Sequence, residues 1–204
     1  RAEWLPKAPP ETKIIALLPG SRKTEVKRIL PEMLRVAKRV HERTREARFL
    51  LSESNTLPTQ LYGTILAKAR PTYPIQLVRN RSYDLLFASD FAMVSSGTAT
   101  LEAALASTPF VILYKTAWST FFLGRRLIRI PYIGLANVVA GRKIVPEFIQ
   151  HEIRAETIAQ EAAYLLEHQD LREKMILDLK QVQTKLGEPG ASERAARAVL
   201  QLLN

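Results

Sequence analysis

None of the 204 residues is cysteine, so the chain can form neither a disulfide framework nor a thiolate-bound metal site. Its three histidines, His41, His151 and His168, are scattered without metal-ligand spacing. Neither residue type points to a metal site, and no metal or cofactor is expected. No apolar run approaches the ~18 residues that a bilayer-spanning helix requires. The GxGxxG dinucleotide fingerprint and the GxxxxGK[ST] phosphate loop are both absent, as are internal repeats and low-complexity tracts. Acidic residues are in deficit: 20 Asp and Glu face 30 Lys and Arg, for a formal charge of +10 and a pI near 10.0. That balance calls for an anionic partner, which could be nucleic acid, a phosphorylated small molecule or an anionic lipid surface.

At 47% hydrophobic, the composition supports one large domain, or one domain with an appendage, and argues against disorder. Residues 1–12 are polar and Pro-rich, without the apolar core of a signal peptide, and read as a linker from an N-terminal domain outside this chain. Lys13 to Leu18 (KIIALL) is short and β-branched and stops at Pro19-Gly20, which predicts a buried strand. In Glu25 to Arg45 the apolar positions Val26, Ile29, Leu30, Met33, Leu34, Ala37 and Val40 recur at helical spacing, with Pro31 expected to kink or restart the helix. Further strands are expected at 48–51, 75–78, 91–94 and 109–114, and helices near 57–69, 83–88 and 98–106. Such alternation implies βαβ crossovers and a Rossmann-like α/β fold, a parallel sheet flanked by helices over residues 13–152. Residues 153–204 read as helices only, at 154–167, 170–186 and 191–203, forming a C-terminal tail that either covers the sheet or reaches away from it.

In a parallel sheet, ligands sit at the carboxyl ends of the strands where strand order reverses. Two Gly-containing turns lie at that edge. In LPGSR, Gly20 lets backbone approach a ligand, Ser21 offers a hydroxyl, and Arg22 offers a cationic fork at a helix entrance. In SSGTATLE, the small residues Ser96, Gly97 and Thr98 stand at another helix entrance, with Glu102 one turn on. The plain reading is an ordinary cap with a first-turn carboxylate in the helix dipole. The sharper reading is a phosphate in the turn and a ribose diol on Glu102. No capping box competes for Glu102, because the residue three before it is Ala99. The stretch Lys115 to Gln150 interleaves Trp118, Phe121, Phe122, Leu127, Ile128 and Ile130 with Arg125, Arg126 and Arg129, which suits an interfacial helix as well as an ordinary amphipathic one. Asn137, Gly141 and Arg142 fall in what reads as the following loop. The basic face of the long helix lacks aromatics, and no nucleic-acid-binding motif appears, so nucleic acid is not the expected partner.

LPGSR followed by Glu25, then SDFAMVSSGTATLEAAL, the Tyr114-Lys115 pair and RIPYIGLANVVAGRKIVPEFIQ together resemble the C-terminal half of the lipid-A-disaccharide synthase family. The resemblance implies the donor-binding domain of a two-domain GT-B glycosyltransferase, metal-independent and inverting. Its reaction would join UDP-diacylglucosamine to lipid X, releasing UDP and forming the lipid A disaccharide precursor at the cytoplasmic face of the inner membrane. Residue by residue, Gly20, Ser21 and Arg22 match the LPGSR turn, with Arg22 implied as diphosphate contact and charge stabiliser. Ser96, Gly97, Thr98 and Thr100 match the loop around the diphosphate, and Glu102 matches the ribose carboxylate. Asn137 and Arg142 match a Pro-Asn-Leu-x-Ala-Gly-Arg element in which Ala136 replaces the Pro. The resemblance thus implies Arg22 and Asn137 as catalytic groups and all ten positions as substrate-binding. The segment SESN at 52–55 departs from the more apolar sequence expected there. An inverting transfer also needs a base, which is expected in the absent N-terminal half, so the chain should bind UDP without turning over. An anionic membrane surface is a further expected partner, and the C-terminal helices would fold back, hang free or cross to a second copy, the last of which makes a homodimer. The alternatives are another GT-B UDP-sugar enzyme, such as a UDP-N-acetylglucosamine transferase or epimerase, and a noncatalytic UDP-binding or membrane-docking module.

Overall fold

The structure, a computed structural model, describes residues 9, 11–116, 131–187 and 190–202. Strands β1 (Ile14–Leu18), β2 (Arg48–Glu53), β3 (Ile75–Arg79), β4 (Phe91–Ser95), β5 (Phe110–Tyr114) and β6 (Glu147–Ile149) form one sheet in the order β3-β2-β1-β4-β5-β6. All neighbouring pairs are parallel. Every residue of β1 and β4 is buried, which explains why these strands read as continuous apolar runs: a central parallel strand has no solvent face. The α/β class and alternating order expected from the sequence are present. β6 goes beyond the strands expected from the sequence, since its three residues carry too short a pattern to signal one.

Helices α1 (Lys23–Arg43), α2 (Thr59–Ala69), α3 (Ser82–Ala88), α4 (Ala99–Leu105) and α5 (Leu135–Ala140) follow successive strands. α1 runs unbroken through Pro31, correcting the expected restart. A proline inside a helix removes one hydrogen bond, at a cost of ~3 kcal/mol. Nine buried residues of α1, from Val26 to Val40, hold the helix on the sheet across that defect. α5 is a second correction, because Asn137 stands in a helix rather than a loop. Gly134 precedes this helix and Gly141 ends it with φ +75.

The C-terminal helices α6 (Ala155–Glu167) and α7 (Gln169–Leu186) fold back onto the sheet body. α6 packs along α1, burying Ile158, Ala159, Ala162, Leu165 and Leu166 in the common core. Glu156 at its start pairs with Arg43. α7 packs on α4 and α5 across the opposite face; there the Gln183 amide donates to the carbonyls of Ala104 and Leu105, at 2.9 and 3.0 Å. The sheet therefore lies between a layer of α1, α2 and α6 and a layer of α3, α4, α5 and α7. α8 (Ala191–Leu202) leaves Val199 and Leu200 more than half exposed.

Candidate functional site

β1 and β4 are adjacent at the centre of the sheet, but the chain leaves them in opposite directions, to β2 on one side and β5 on the other. Their carboxyl ends therefore open a crevice rather than being bridged by one connection. A cavity of about 410 Å³ occupies that crevice, walled by LPGSR on one side and by Ser95 to Ala99 with Glu102 on the other.

The LPGSR turn is tightly built. Gly20 has φ +106, and a Cβ there would lie 2.5 Å from Glu25 Oε2 and 3.1 Å from Ser95 Oγ, so any other residue strains the backbone and displaces Glu25. Glu25 Oε2 accepts from the Arg22 amide at 3.3 Å and Oε1 from Arg22 Nη1 at 2.8 Å. The carboxylate thus caps the start of α1 and steers the Arg22 fork, which remains largely exposed at the mouth of the cavity. An exposed pair of this kind contributes little to stability, so Arg22 can exchange its partner for a ligand anion at small cost.

Across the crevice, the Ser96 amide donates to Leu113 O at 3.2 Å and continues the strand register. Gly97 has φ +157, and a Cβ on it would meet no protein atom within 4 Å, because that side faces open space. Thr98 is the N-cap of α4 and lines the cavity with Gly97. Glu102 lies on the first turn of α4, and its carboxylate has no hydrogen-bond or ion-pair partner among the described residues. The other two cavity carboxylates are already engaged: Glu25 by Arg22, and buried Glu53 by the Thr59 hydroxyl and, at 3.9 Å, by Arg79 Nε. Glu102 is therefore the carboxylate free to accept two new hydrogen bonds.

Seven of the ten expected site residues thus surround one cavity: Gly20, Ser21, Arg22, Ser96, Gly97, Thr98 and Glu102. Three do not. Thr100 is fully buried and its hydroxyl donates to Gly97 O at 2.8 Å, so it shapes the loop from behind. Asn137 is fully buried as well; its Oδ1 accepts from the amides of Ile144 and Val145 at 2.8 and 3.0 Å, while Nδ2 donates to Val145 O and to Glu147 Oε1. Its amide is consumed in folding the turn after α5. Arg142 reaches the opposite way, with its two terminal guanidinium nitrogens on Asp178 of α7 at 2.6 and 3.1 Å, and that hydrogen-bonded carboxylate raises its pKa further. The expected aromatic and basic positions from Trp118 to Ile130 lie outside the described residues. Lys115 is tied to buried Glu32 on α1, and Gln150 exchanges two hydrogen bonds with the backbone of Thr116, at 3.1 and 3.2 Å.

Sequence reasoning missed two parts of the site. The cavity extends over the ends of β2 and β3, where Ser52, Glu53, Ser54, Asn55, Asn80 and Ser82 line it. The signal was available, since SESN is an abrupt polar run at the end of an apolar strand. Thr56 joins this flank to the LPGSR turn by donating to Ser21 O at 3.1 Å. The second part is Glu147, whose carboxylate accepts from the amides of Ile133 and Gly134 at 2.9 and 3.0 Å. Among the described residues no cluster of three or more metal-ligating side chains occurs, and no helix is long and apolar enough to cross a membrane.

Comparison with known proteins agrees with this architecture. The profile of the Lipid-A-disaccharide synthetase family matches residues 2–202. The lipid-A-disaccharide synthase of Syntrophus aciditrophicus (strain SB) is 44% identical over 189 residues, covering 93% of this chain and 49% of that protein. That of Geobacter sulfurreducens is 37% identical over 194 residues, covering 95% and 50%. The chain thus spans about half the length of the curated relatives it matches. Among solved structures, a co-structure of S. aureus MnaA with UDP superposes with a TM-score of 0.65 at 15% identity, over 100% of this chain and 48% of that one. WaaG, a glycosyltransferase involved in lipopolysaccharide biosynthesis, superposes with a TM-score of 0.64 at 14% identity, over 96% and 50%. At such identities these two establish the fold alone.

Proposed function

Since the chain belongs to the lipid-A-disaccharide synthase family, we propose that it is the donor-binding half of a glycosyltransferase that joins UDP-diacylglucosamine to lipid X. One observation carries this reading: LPGSR and SSGTATLE, far apart in sequence, face each other across a single cavity at the switch point of the sheet. The cavity offers what a nucleoside diphosphate needs. Backbone amides at the starts of α1 and α4 and the exposed Arg22 fork meet the diphosphate, and the unpartnered Glu102 carboxylate accepts the ribose hydroxyls. As the sugar leaves UDP, negative charge grows on the β-phosphate, and Arg22 with those amides stabilises it without a metal ion.

Inversion at the sugar carbon requires a base opposite the leaving group. The cavity carboxylates Glu25 and Glu53 are held by Arg22 and by Thr59 with Arg79, and Glu102 serves the ribose. The base is accordingly assigned to the half of the enzyme that this chain does not span, and the chain alone binds UDP without transferring sugar. Asn137 and Arg142 act through the fold rather than on the donor. The acceptor and acyl chains bring the enzyme to the inner membrane's cytoplasmic surface as a peripheral protein, with the basic surface towards anionic lipid, and α8 is the segment offered for pairing with a second copy.

Titration calorimetry with UDP on the wild type and on Glu102→Ala tests the donor site. The wild type should give a saturable heat, and Glu102→Ala should bind at least about tenfold more weakly, the equivalent of one charge-assisted hydrogen bond. No heat from the wild type, or equal affinities, would overturn the reading.

A further inference from the structure

We propose that Glu147, on the edge strand β6, is a positioning residue for the donor cavity, acting through the segment 133–135; this rests on the reading that the cavity binds UDP. Glu147 Oε2 accepts from the Ile133 amide at 2.9 Å, and Oε1 accepts from the Gly134 amide at 3.0 Å and from Asn137 Nδ2 at 2.8 Å. Ile133 in turn accepts at its carbonyl from Ser96 Oγ, 3.1 Å away. Leu135, the next residue but one, lines the cavity. One carboxylate therefore fixes a segment that holds a phosphate-loop hydroxyl on one side and supplies a cavity wall on the other.

Gly134 explains why the arrangement has little slack. A Cβ there would lie 2.1 Å from Ile112 Cδ1 and 3.2 Å from Glu147 Oε1, so the backbone is pressed against β5 and against the carboxylate together. Ile112 is the residue opposite Glu147 in the β5–β6 register, which places clamp and floor side by side. The tether also changes the part played by Ser96. A serine hydroxyl has one hydrogen to give, and here it goes to Ile133 O. Ser96 thus ties the loop to the clamped segment, leaving the neighbouring backbone amides to meet the phosphate. Without Glu147, two amides lose their acceptor and the Asn137 side chain loses one of its two, and the segment moves with Ser96 and Leu135 attached.

The test is UDP calorimetry on the wild type, Glu147→Gln, Ser96→Ala and the double variant, with thermal melts of each. An amide at position 147 sets an NH2 group against a backbone N–H, so Glu147→Gln should weaken UDP binding by about tenfold. The Ser96 and Glu147 losses should not add, because both act through Ile133. A role confined to folding would lower the melting midpoint and leave affinity unchanged, which would overturn the proposal, as would fully additive losses. Should Glu147→Gln not fold, Gly134→Ala disturbs the same segment. Its UDP affinity should fall, and Ile112→Val, which removes Cδ1, should restore it in the pair; loss without restoration would refute the clamp. If the wild type gives no heat with UDP, the donor reading itself fails and takes this inference with it.

Discussion

Gly20→Ala and Gly97→Ala form a matched pair, because both glycines border the cavity but only one has protein behind it. At Gly20 the new methyl would stand 2.5 Å from Glu25 Oε2, at a φ of +106. The backbone strain costs ~1–2 kcal/mol. Moving Glu25 also removes the cap on the Arg22 amide and the anchor of the Arg22 fork, and losing a cap costs ~1 kcal/mol. The sum is about 2–3 kcal/mol, which for a chain of this size lowers the melting midpoint by roughly 4–12 °C. UDP binding should weaken with it, since Arg22 loses its anchor. At Gly97 the methyl meets no protein atom, so strain of ~1 kcal/mol is the whole stability cost, and the methyl stands where the donor would approach. The expected pattern is a large loss of stability with Gly20→Ala and a small one with Gly97→Ala, with UDP binding weakened in both. Thermal melts and UDP calorimetry read the two quantities. A Gly97→Ala protein with wild-type affinity, or a Gly20→Ala protein with a wild-type midpoint, would refute the reasoning.

Asn137→Ala should cost about 3–5 kcal/mol in urea denaturation, because the buried amides of Ile144 and Val145 lose their acceptor. Arg142→Ala should leave UDP affinity unchanged in calorimetry, since its fork is on Asp178 and away from the cavity. Tyr73 carries a phenol that burial pushes well above the ordinary tyrosine value and whose hydroxyl donates to Leu34 O at 2.8 Å. Because the folded value is raised, its contribution is complete below about pH 10 and is lost as pH rises above that. The urea midpoint should therefore drop above pH 10, and Tyr73→Phe should flatten the drop.

The strands and most helices were legible because their signals are long and redundant. β1 and β4 are unbroken apolar runs between turn residues, and α1 repeats its buried positions from Val26 to Val40. What escaped is short or is decided by tertiary packing. The six residues of α5 hold Asn137 in a helix that local propensity does not favour, and their reason is the buried turn that Asn137 knits together. The resemblance to a family and the turn chemistry point to Gly20, Arg22, Gly97 and Glu102, which the fold brings to one cavity, but do not tell a cavity-facing residue from its support. Thr100, Asn137 and Arg142 share motifs with cavity residues, yet each spends its polar atoms on the protein itself. Glu147 lies in a quoted stretch, but its part does not show in the sequence, since its partners are two backbone amides and the Asn137 side chain, 10 to 14 residues earlier in the chain.

A crystal structure of the chain with UDP tests the central claim most directly. The account predicts diphosphate oxygens within hydrogen-bonding distance of the amides of Gly97 and Thr98 and of the Arg22 guanidinium, with the ribose hydroxyls on Glu102. Many dinucleotide-binding sheets instead place ribose on an acidic residue further along the chain from the first turn, and here Glu53 at the end of β2 borders the same cavity. A UDP whose ribose lay on Glu53, with its phosphates away from the residues after Val94, would contradict the account.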